Sequence, residues 1–275
     1  MCGIFGYIGR KEDAAQIVFE GLKLLEYRGY DSWGIATKVN PFDRLRSSTP
    51  RSLRLEEVDA ERSPAPSGAG RSRSIKSQKS KVKSQIVVEK HVGKIAETDI
   101  NSKFLNLKSQ LAIGHTRWAT HGGVTVANAH PHLDCKNEIA VIHNGIIENF
   151  SSIKENLSKK SHIFKSETDT EIVSHLIEEF SKTEGFSFAV RDAFNSLKGL
   201  NAIVVVCRYS REIVAAKTGS PLVVGIGNNE LFIASDVSGI VKHTRKMLFL
   251  KDNEMVILGD DVELISLPNG NKIHP

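Results

Sequence analysis

No stretch of this 275-residue sequence is apolar for long enough to cross a bilayer. The longest uninterrupted run is six residues, Ala202 to Cys207, against the roughly 18 that a spanning helix needs. A basic stretch followed by an apolar one, the pattern of a secretory leader, is missing from the N-terminus. Cysteine is scarce: Cys2, Cys135 and Cys207 are too few and too scattered to staple a fold, which favours a reducing compartment. A soluble, cytoplasmic protein is the expectation. Its 40% hydrophobic and 25% charged residues are ordinary for a globular chain with a sizeable core.

The net charge of +5 hints at nucleic-acid binding until the charges are placed. Residues 41–85 carry eleven Lys and Arg against five Asp and Glu, so this segment is +6 and the other 230 residues are −1. The segment also holds ten serines, four of the eight prolines and a single aromatic, Phe42. It has too little apolar surface to offset the entropy of ordering it, and reads as a disordered surface insertion. Without interleaved aromatics to stack on bases, it would hold nucleic acid only weakly and in a salt-sensitive way. Nucleic acid is therefore not an expected partner.

Elsewhere the chain reads as short strands and amphipathic helices. Ala14, Ile17, Val18, Leu22 and Leu25 recur at helical spacing and predict a helix over 12–26. Further helices are expected near 169–182 and 187–198. Apolar runs predict strands at 4–9, 34–37, 111–117, 138–143, 201–208, 212–217, 221–226, 230–235, 246–250, 254–258 and 262–267. Strands grouped before and after the helices argue for an α+β layered domain over an alternating one.

Several residues can carry chemistry. Removal of Met1 would put a free α-amine and a thiol on Cys2. The amine's reference pKa is about 7.7 to 8.0 and the thiol's about 8.5, so one residue could serve as nucleophile and base. The plainer reading is an incidental small hydrophobe. Asn144 and Gly145 follow an apolar strand, which suits a hairpin turn; alternatively the amide and the backbone N–H converge on a forming oxyanion. Arg117, within His115-Thr-Arg-Trp-Ala-Thr-His121, has the fork to grip a carboxylate bidentately, or it could make a surface ion pair beside a core Trp118. Thr168 and Glu171 have capping-box spacing, so Asp169 can merely favour a helix start. It could instead hold a substrate ammonium while Arg117 holds the carboxylate, which together would define an amino-acid site. His130, His132, Cys135 and His143 invite a zinc reading, but their spacing fits neither a Cys-x-x-Cys pair nor a His-Glu-x-x-His arrangement. No metal and no cofactor is expected.

Together these pieces resemble one family. Met1-Cys-Gly-Ile-Phe-Gly6, Tyr27-Arg-Gly-Tyr-Asp-Ser32, His115-Thr-Arg-Trp-Ala-Thr-His-Gly122, Asn128-Ala-His-Pro-His132, Val141-Ile-His-Asn-Gly-Ile-Ile-Glu-Asn149, Glu167-Thr-Asp-Thr-Glu171, Gly219-Ser-Pro-Leu-Val223 and Ile233-Ala-Ser-Asp236 occur in one order. They are similar to the glutaminase domain of glucosamine-6-phosphate synthases, and the resemblance covers about 1–40 and 86–258. It implies the four-layer αββα sandwich of N-terminal-nucleophile hydrolases and, by motif, a set of roles. Cys2 would be the nucleophile that forms a γ-glutamyl thioester and releases ammonia, with Asn144 and Gly145 as the oxyanion hole. Arg117 and Asp169 would bind the carboxylate and ammonium of L-glutamine. Trp118, Thr120 and His121 would line the pocket, Trp118 also gating an ammonia passage, and Arg28 would support the nucleophile's surroundings.

The same resemblance implies a domain over 1–258 interrupted at 41–85, with 259–275 a tail or the start of a linker. The family's sugar-phosphate isomerase domains, the expected partner and the expected route to oligomers in hexosamine biosynthesis, have no counterpart in these residues. The chain is therefore expected to be a fragment or a truncated relative. An inactive binding module working through 41–85 is the alternative. Three positions depart from the family pattern. Trp33 replaces the usual Ala, a large intrusion next to Gly34 whose effect on local packing the sequence leaves open, Gly123-Val-Thr125 replaces Glu-Pro-Ser, and Asn201 reads as a strand-start variation.

Overall fold

The computed structural model describes residues 2–39, 84–119 and 122–273. Strand by strand, the period-two alternation of side chains builds two antiparallel sheets that share one core. The first sheet runs β11 (Met247–Phe249), β9 (Val223–Ile226), β10 (Glu230–Ala234), β1 (Gly3–Gly9), β4 (Leu111–Arg117), β2 (Ser32–Val39) and β3 (Gln85–Val92). The second runs β14 (Asn271–Ile273), β13 (Val262–Ser266), β12 (Glu254–Leu258), β8 (Ile213–Lys217), β7 (Asn201–Cys207), β6 (Ile139–Gly145) and β5 (His132–Leu133).

Helix α1 (Ala14–Leu24) covers the outer face of the first sheet, followed by a single turn, α2 (Ser102–Leu105). Helices α3 (Phe150–Lys159), α4 (Glu171–Phe180) and α5 (Phe186–Asn195) cover the outer face of the second. In β1, Ile4 points between the sheets while Phe5 and Tyr7 point under α1. In β7, Ala202, Val204 and Val206 face the other sheet, and Ile203, Val205 and Cys207 face the helices. Both faces of β7 are buried. That is why the longest apolar run of the sequence is a six-residue strand and not part of a helix.

The α+β expectation and the four layers hold, with three adjustments. First, the basic segment lies outside the described residues except for Ser84 and Gln85, and Gln85 already opens β3. Val39, just before the segment, and Gln85, its last residue, are partners in the β2–β3 ladder. Second, the sheet does not stop at 258: β13 pairs along the whole of β12 and β14 pairs with β13, so residues to Ile273 belong to the second sheet. Third, Trp33 does not disturb the packing. It is buried at 1% exposure, stacks on His91 with centroids 4.7 Å apart and tilts against Phe19 at 5.6 Å. Among the described residues no helix is long and apolar enough to cross a membrane.

Candidate active site

The site begins at the end of a central strand. Cys2 immediately precedes β1, which lies between β10 and β4. The first two amides of the strand are held by side chains of its neighbours: Gly3 N donates to Thr116 Oγ1 at 3.2 Å and Ile4 N to Ser235 Oγ at 3.0 Å. Gly3 has to be glycine, since a Cβ there would sit 2.5 Å from Thr116 Oγ1 and 2.9 Å from Leu25 Cβ. Cys2 Sγ accepts a hydrogen bond from Trp118 N at 3.2 Å. Burial pushes the thiol pKa up, and the Trp118 amide and the Arg117 charge offset this only in part. At neutral pH the sulfur therefore stays protonated, and its use as a nucleophile needs a base beside it.

Asn144, near the end of β6, reaches this strand start from the other sheet. Its Nδ2 donates to Cys2 O at 2.9 Å and its Oδ1 meets His115 Nε2 at 3.0 Å. Gly145 follows with φ +133°, and a Cβ there would lie 2.2 Å from Leu200 O. An Asn-Gly after an apolar run signals a hairpin, but β6 pairs with β7, far along the chain, and residues 144–145 pair with Ala202 and Asn201. The dipeptide is a strand terminus aimed at Cys2.

Arg117 ends β4 and is 4% exposed. Its Nη1 donates to Gly123 O at 3.2 Å and its Nη2 contacts Gly122 O at 3.5 Å. Asn128 braces the same loop: its Nδ2 donates to Gly123 O and to Glu167 Oε2, both at 3.0 Å, while Glu167 N donates to Asn128 Oδ1 at 2.9 Å. Asp169 is 8% exposed and accepts from Ile147 N through Oδ2 at 2.8 Å. The capping box does not form. Helix α4 starts at Glu171, and the Glu171 carboxylate accepts from Lys165 N and Ser166 N instead of the Thr168 backbone. Asp169 therefore sits ahead of the helix and is free of a capping duty.

Cys2, Arg117, Trp118, Gly145 and Asp169 line one cleft that encloses roughly 320 Å³ of space open to solvent. Asn144 adjoins it through the Cys2 carbonyl. Trp118 is not a core residue: it is 47% exposed and tilts against Tyr30 at 5.7 Å. Arg28 stands apart from the lining, with Nη1 3.0 Å from Asp236 Oδ2. Thr120 and His121 lie outside the described residues.

Sequence reasoning weighed His130, His132 and His143 only as zinc ligands and did not place them in the polar floor of this cleft. His115, His130 and His143 line it and, with His132, are buried. His115 and His130 stack at 4.2 Å, and His143 bridges Thr170 Oγ1 at 3.0 Å and Asn201 Oδ1 at 2.9 Å. Asn201 is thus more than a strand-start variation, since it holds a histidine under the cleft. The available signal was polar residues inside strands that are otherwise apolar. Cys135 turns away from these histidines toward a different set of residues.

Burial lowers the pKa of His130, His132 and His143 and takes His115 down to about 3, so all four are neutral at neutral pH. In the unfolded chain each would take up a proton near pH 6.5. Below that pH the unfolded state therefore binds more protons, and stability present above it is lost as pH falls, by up to about 1.4 kcal/mol per pH unit per histidine. The melting temperature is expected to fall by several degrees between pH 7 and pH 5. A flat thermal profile over that range would contradict the neutral assignment.

The chain matches the family model described as a glutamine amidotransferase domain over residues 74–258. It is 40% identical over 263 residues to a glutamine–fructose-6-phosphate aminotransferase (isomerizing) from Pyrococcus horikoshii, covering 95% of this chain and 37% of that protein. The Thermococcus kodakarensis protein of the same name is 41% identical over 265 residues, covering 95% and 36%. This chain thus spans little more than a third of those relatives. Among solved structures, the glutamine phosphoribosylpyrophosphate amidotransferase of B. subtilis superposes with TM-score 0.70 at 24% identity, covering 96% of this chain and 49% of that one. That likeness supports the fold, two facing antiparallel sheets.

Proposed function

This chain belongs to the glutamine amidotransferase domain family, and on that premise we propose that it hydrolyses L-glutamine to L-glutamate and ammonia with Cys2 as nucleophile. The observation that carries the reading is the convergence of a thiol, a guanidinium and a carboxylate, from Cys2, Arg117 and Asp169, in one cleft. Arg117 holds the α-carboxylate and Asp169 the α-ammonium, which leaves the side-chain amide to reach the sulfur. With Met1 removed, the Cys2 amine takes the thiol proton while sulfur bonds to the amide carbon. The oxygen's charge is met by Gly145 N–H and Asn144 Nδ2. The amine then protonates the leaving nitrogen, ammonia departs, and water cleaves the thioester to restore the thiol. Trp118, exposed at the rim, is placed to gate the ammonia exit.

The names of the relatives extend the proposal. Joined to sugar-phosphate isomerase domains beyond these residues, the released ammonia would convert fructose-6-phosphate to glucosamine-6-phosphate in the cytoplasm. Oligomerisation would run through those domains.

Arg117→Ala tests the substrate assignment. A charged hydrogen-bonded contact contributes about 1.5–3 kcal/mol, so KM for glutamine should rise roughly 10- to 100-fold with kcat changed far less. A fall in kcat at constant KM would remove Arg117 from the role of ground-state ligand.

A further inference from the structure

Away from the cleft, four potential ligand atoms converge where the second sheet meets its helices. Cys135 lies in the turn between β5 and β6, His162 in the connection from α3 to α4, and His175 and Glu178 on α4 itself, three residues apart and so on one face. Cys135 Sγ is 3.5 Å from His162 Nδ1 and 3.4 Å from His175 Nδ1. The two Nδ1 atoms are 3.2 Å apart, and Glu178 Oε2 lies 3.2 Å from the first and 3.5 Å from the second. We propose that Cys135, His162, His175 and Glu178 form a structural zinc(II) site.

The dimensions fit. Zinc bonds of about 2.3 Å to sulfur and 2.0–2.2 Å to nitrogen and oxygen give a tetrahedron with edges of about 3.3–3.6 Å. Five of the six separations fall at or within a tenth of an ångström of that range, and all four atoms lie within 4.8 Å of one another, so the remaining edge, from Cys135 to Glu178, is the one that would close on the ion.

The proton inventory points the same way. His162 Nε2 hydrogen-bonds Glu179 Oε1 at 3.1 Å, whereas His175 Nε2 has no hydrogen-bond partner among the described residues and lies 3.8 Å from Glu171 Oε1. The His162 imidazole is therefore assigned its proton on Nε2, next to a carboxylate, and turns the lone pair of Nδ1 inward. A carboxylate behind a ligating histidine is the usual way such a ring is oriented toward a metal. Glu178 Oε2 is an acceptor as well, already receiving Cys135 N at 3.2 Å. The His162 lone pair and the Glu178 carboxylate thus face the Cys135 thiol from two sides. A cation satisfies all four ligand atoms.

His162, His175 and Glu178 are 8%, 1% and 7% exposed, whereas Cys135 is exposed and gives an ion its way in. The mixed sulfur, nitrogen and oxygen set at tetrahedral spacing selects zinc over calcium or magnesium. With four protein ligands no position is left open for substrate, which makes the ion a brace. It ties the β5–β6 turn and the α3–α4 connection to α4, whose first residue is two positions after Asp169. The proposal does not depend on Cys2 being a nucleophile.

The test uses the full chain with Cys2→Ser as background, so that the other reactive thiol cannot bind metal. Bound zinc should approach one per chain and raise the melting temperature by several degrees over the EDTA-treated protein. Replacement by cobalt(II) should produce intense visible bands and a thiolate-to-cobalt charge-transfer band. Adding Cys135→Ser should abolish the charge-transfer band, while Glu179→Gln should weaken metal affinity roughly 10- to 100-fold and leave the band in place. Absence of stoichiometric zinc, an unchanged melting temperature with EDTA, or a charge-transfer band that survives Cys135→Ser would each overturn the site.

Discussion

Cys2→Ser is expected to lower glutamine hydrolysis by at least three orders of magnitude while the protein stays folded. Removal of a catalytic nucleophile from a hydrolase site costs on that scale or more. The local physics explains why serine cannot substitute. Burial already raises the thiol pKa at this position, and an amine with a reference pKa near 8 can still take that proton. A hydroxyl in the same partly buried place holds its proton far more tightly. Folding should be spared, because among the described residues the Cys2 side chain hydrogen-bonds the Trp118 backbone alone. Glutamate release, a thermal melt and the intact mass of the active preparation settle the matter together. Turnover within tenfold of the parent, or full activity in protein that keeps Met1 on the amine, would refute the mechanism.

Asn144→Ala should lower kcat by roughly 100- to 1,000-fold with KM nearly unchanged, the pattern of a donor that matters only once the oxyanion forms. The orientation of this amide is set from behind. His115 is neutral, and its Nε2 proton, assigned from its partner, points at Asn144 Oδ1 at 3.0 Å. The amide nitrogen is thereby turned toward Cys2. Steady-state kinetics distinguish the roles, since a raised KM at constant kcat would make Asn144 a ground-state ligand. Asn144→Asp should be at least as damaging, because it places an acceptor where a donor is needed.

How legible the protein is from its residues depends on how local each signal is. The layered α+β class followed from the grouping of apolar runs, and β7 from six consecutive apolar residues. Other elements were hidden. Strand β3 is a half-exposed edge whose Gln, Glu, Lys and His dilute the alternation, and its first residue merges with the basic segment. Helix α3 buries only Ile153 and Leu157, too narrow a stripe to register as periodic. Asp169 could be read as a cap because its sequence neighbours had the spacing for one, and only the position of Ile147 N reassigned it.

Residue types and spacing alone determined that this is a layered globular chain with a chemically capable cysteine at position 2, an arginine suited to a carboxylate and an Asn-Gly after a strand. Tertiary structure decided what those residues face. Pairing of β1 with β4 set the Cys2 sulfur on the Trp118 amide, and the stacking of two sheets brought Asn144 to the Cys2 carbonyl from 142 residues away. It also drew Cys135, His162, His175 and Glu178 from three separate segments to one point. The reason is physical: local sequence sets which groups a backbone turn presents, but convergence of distant groups follows from burying both sheets and their helices against one another, which no short window of sequence contains.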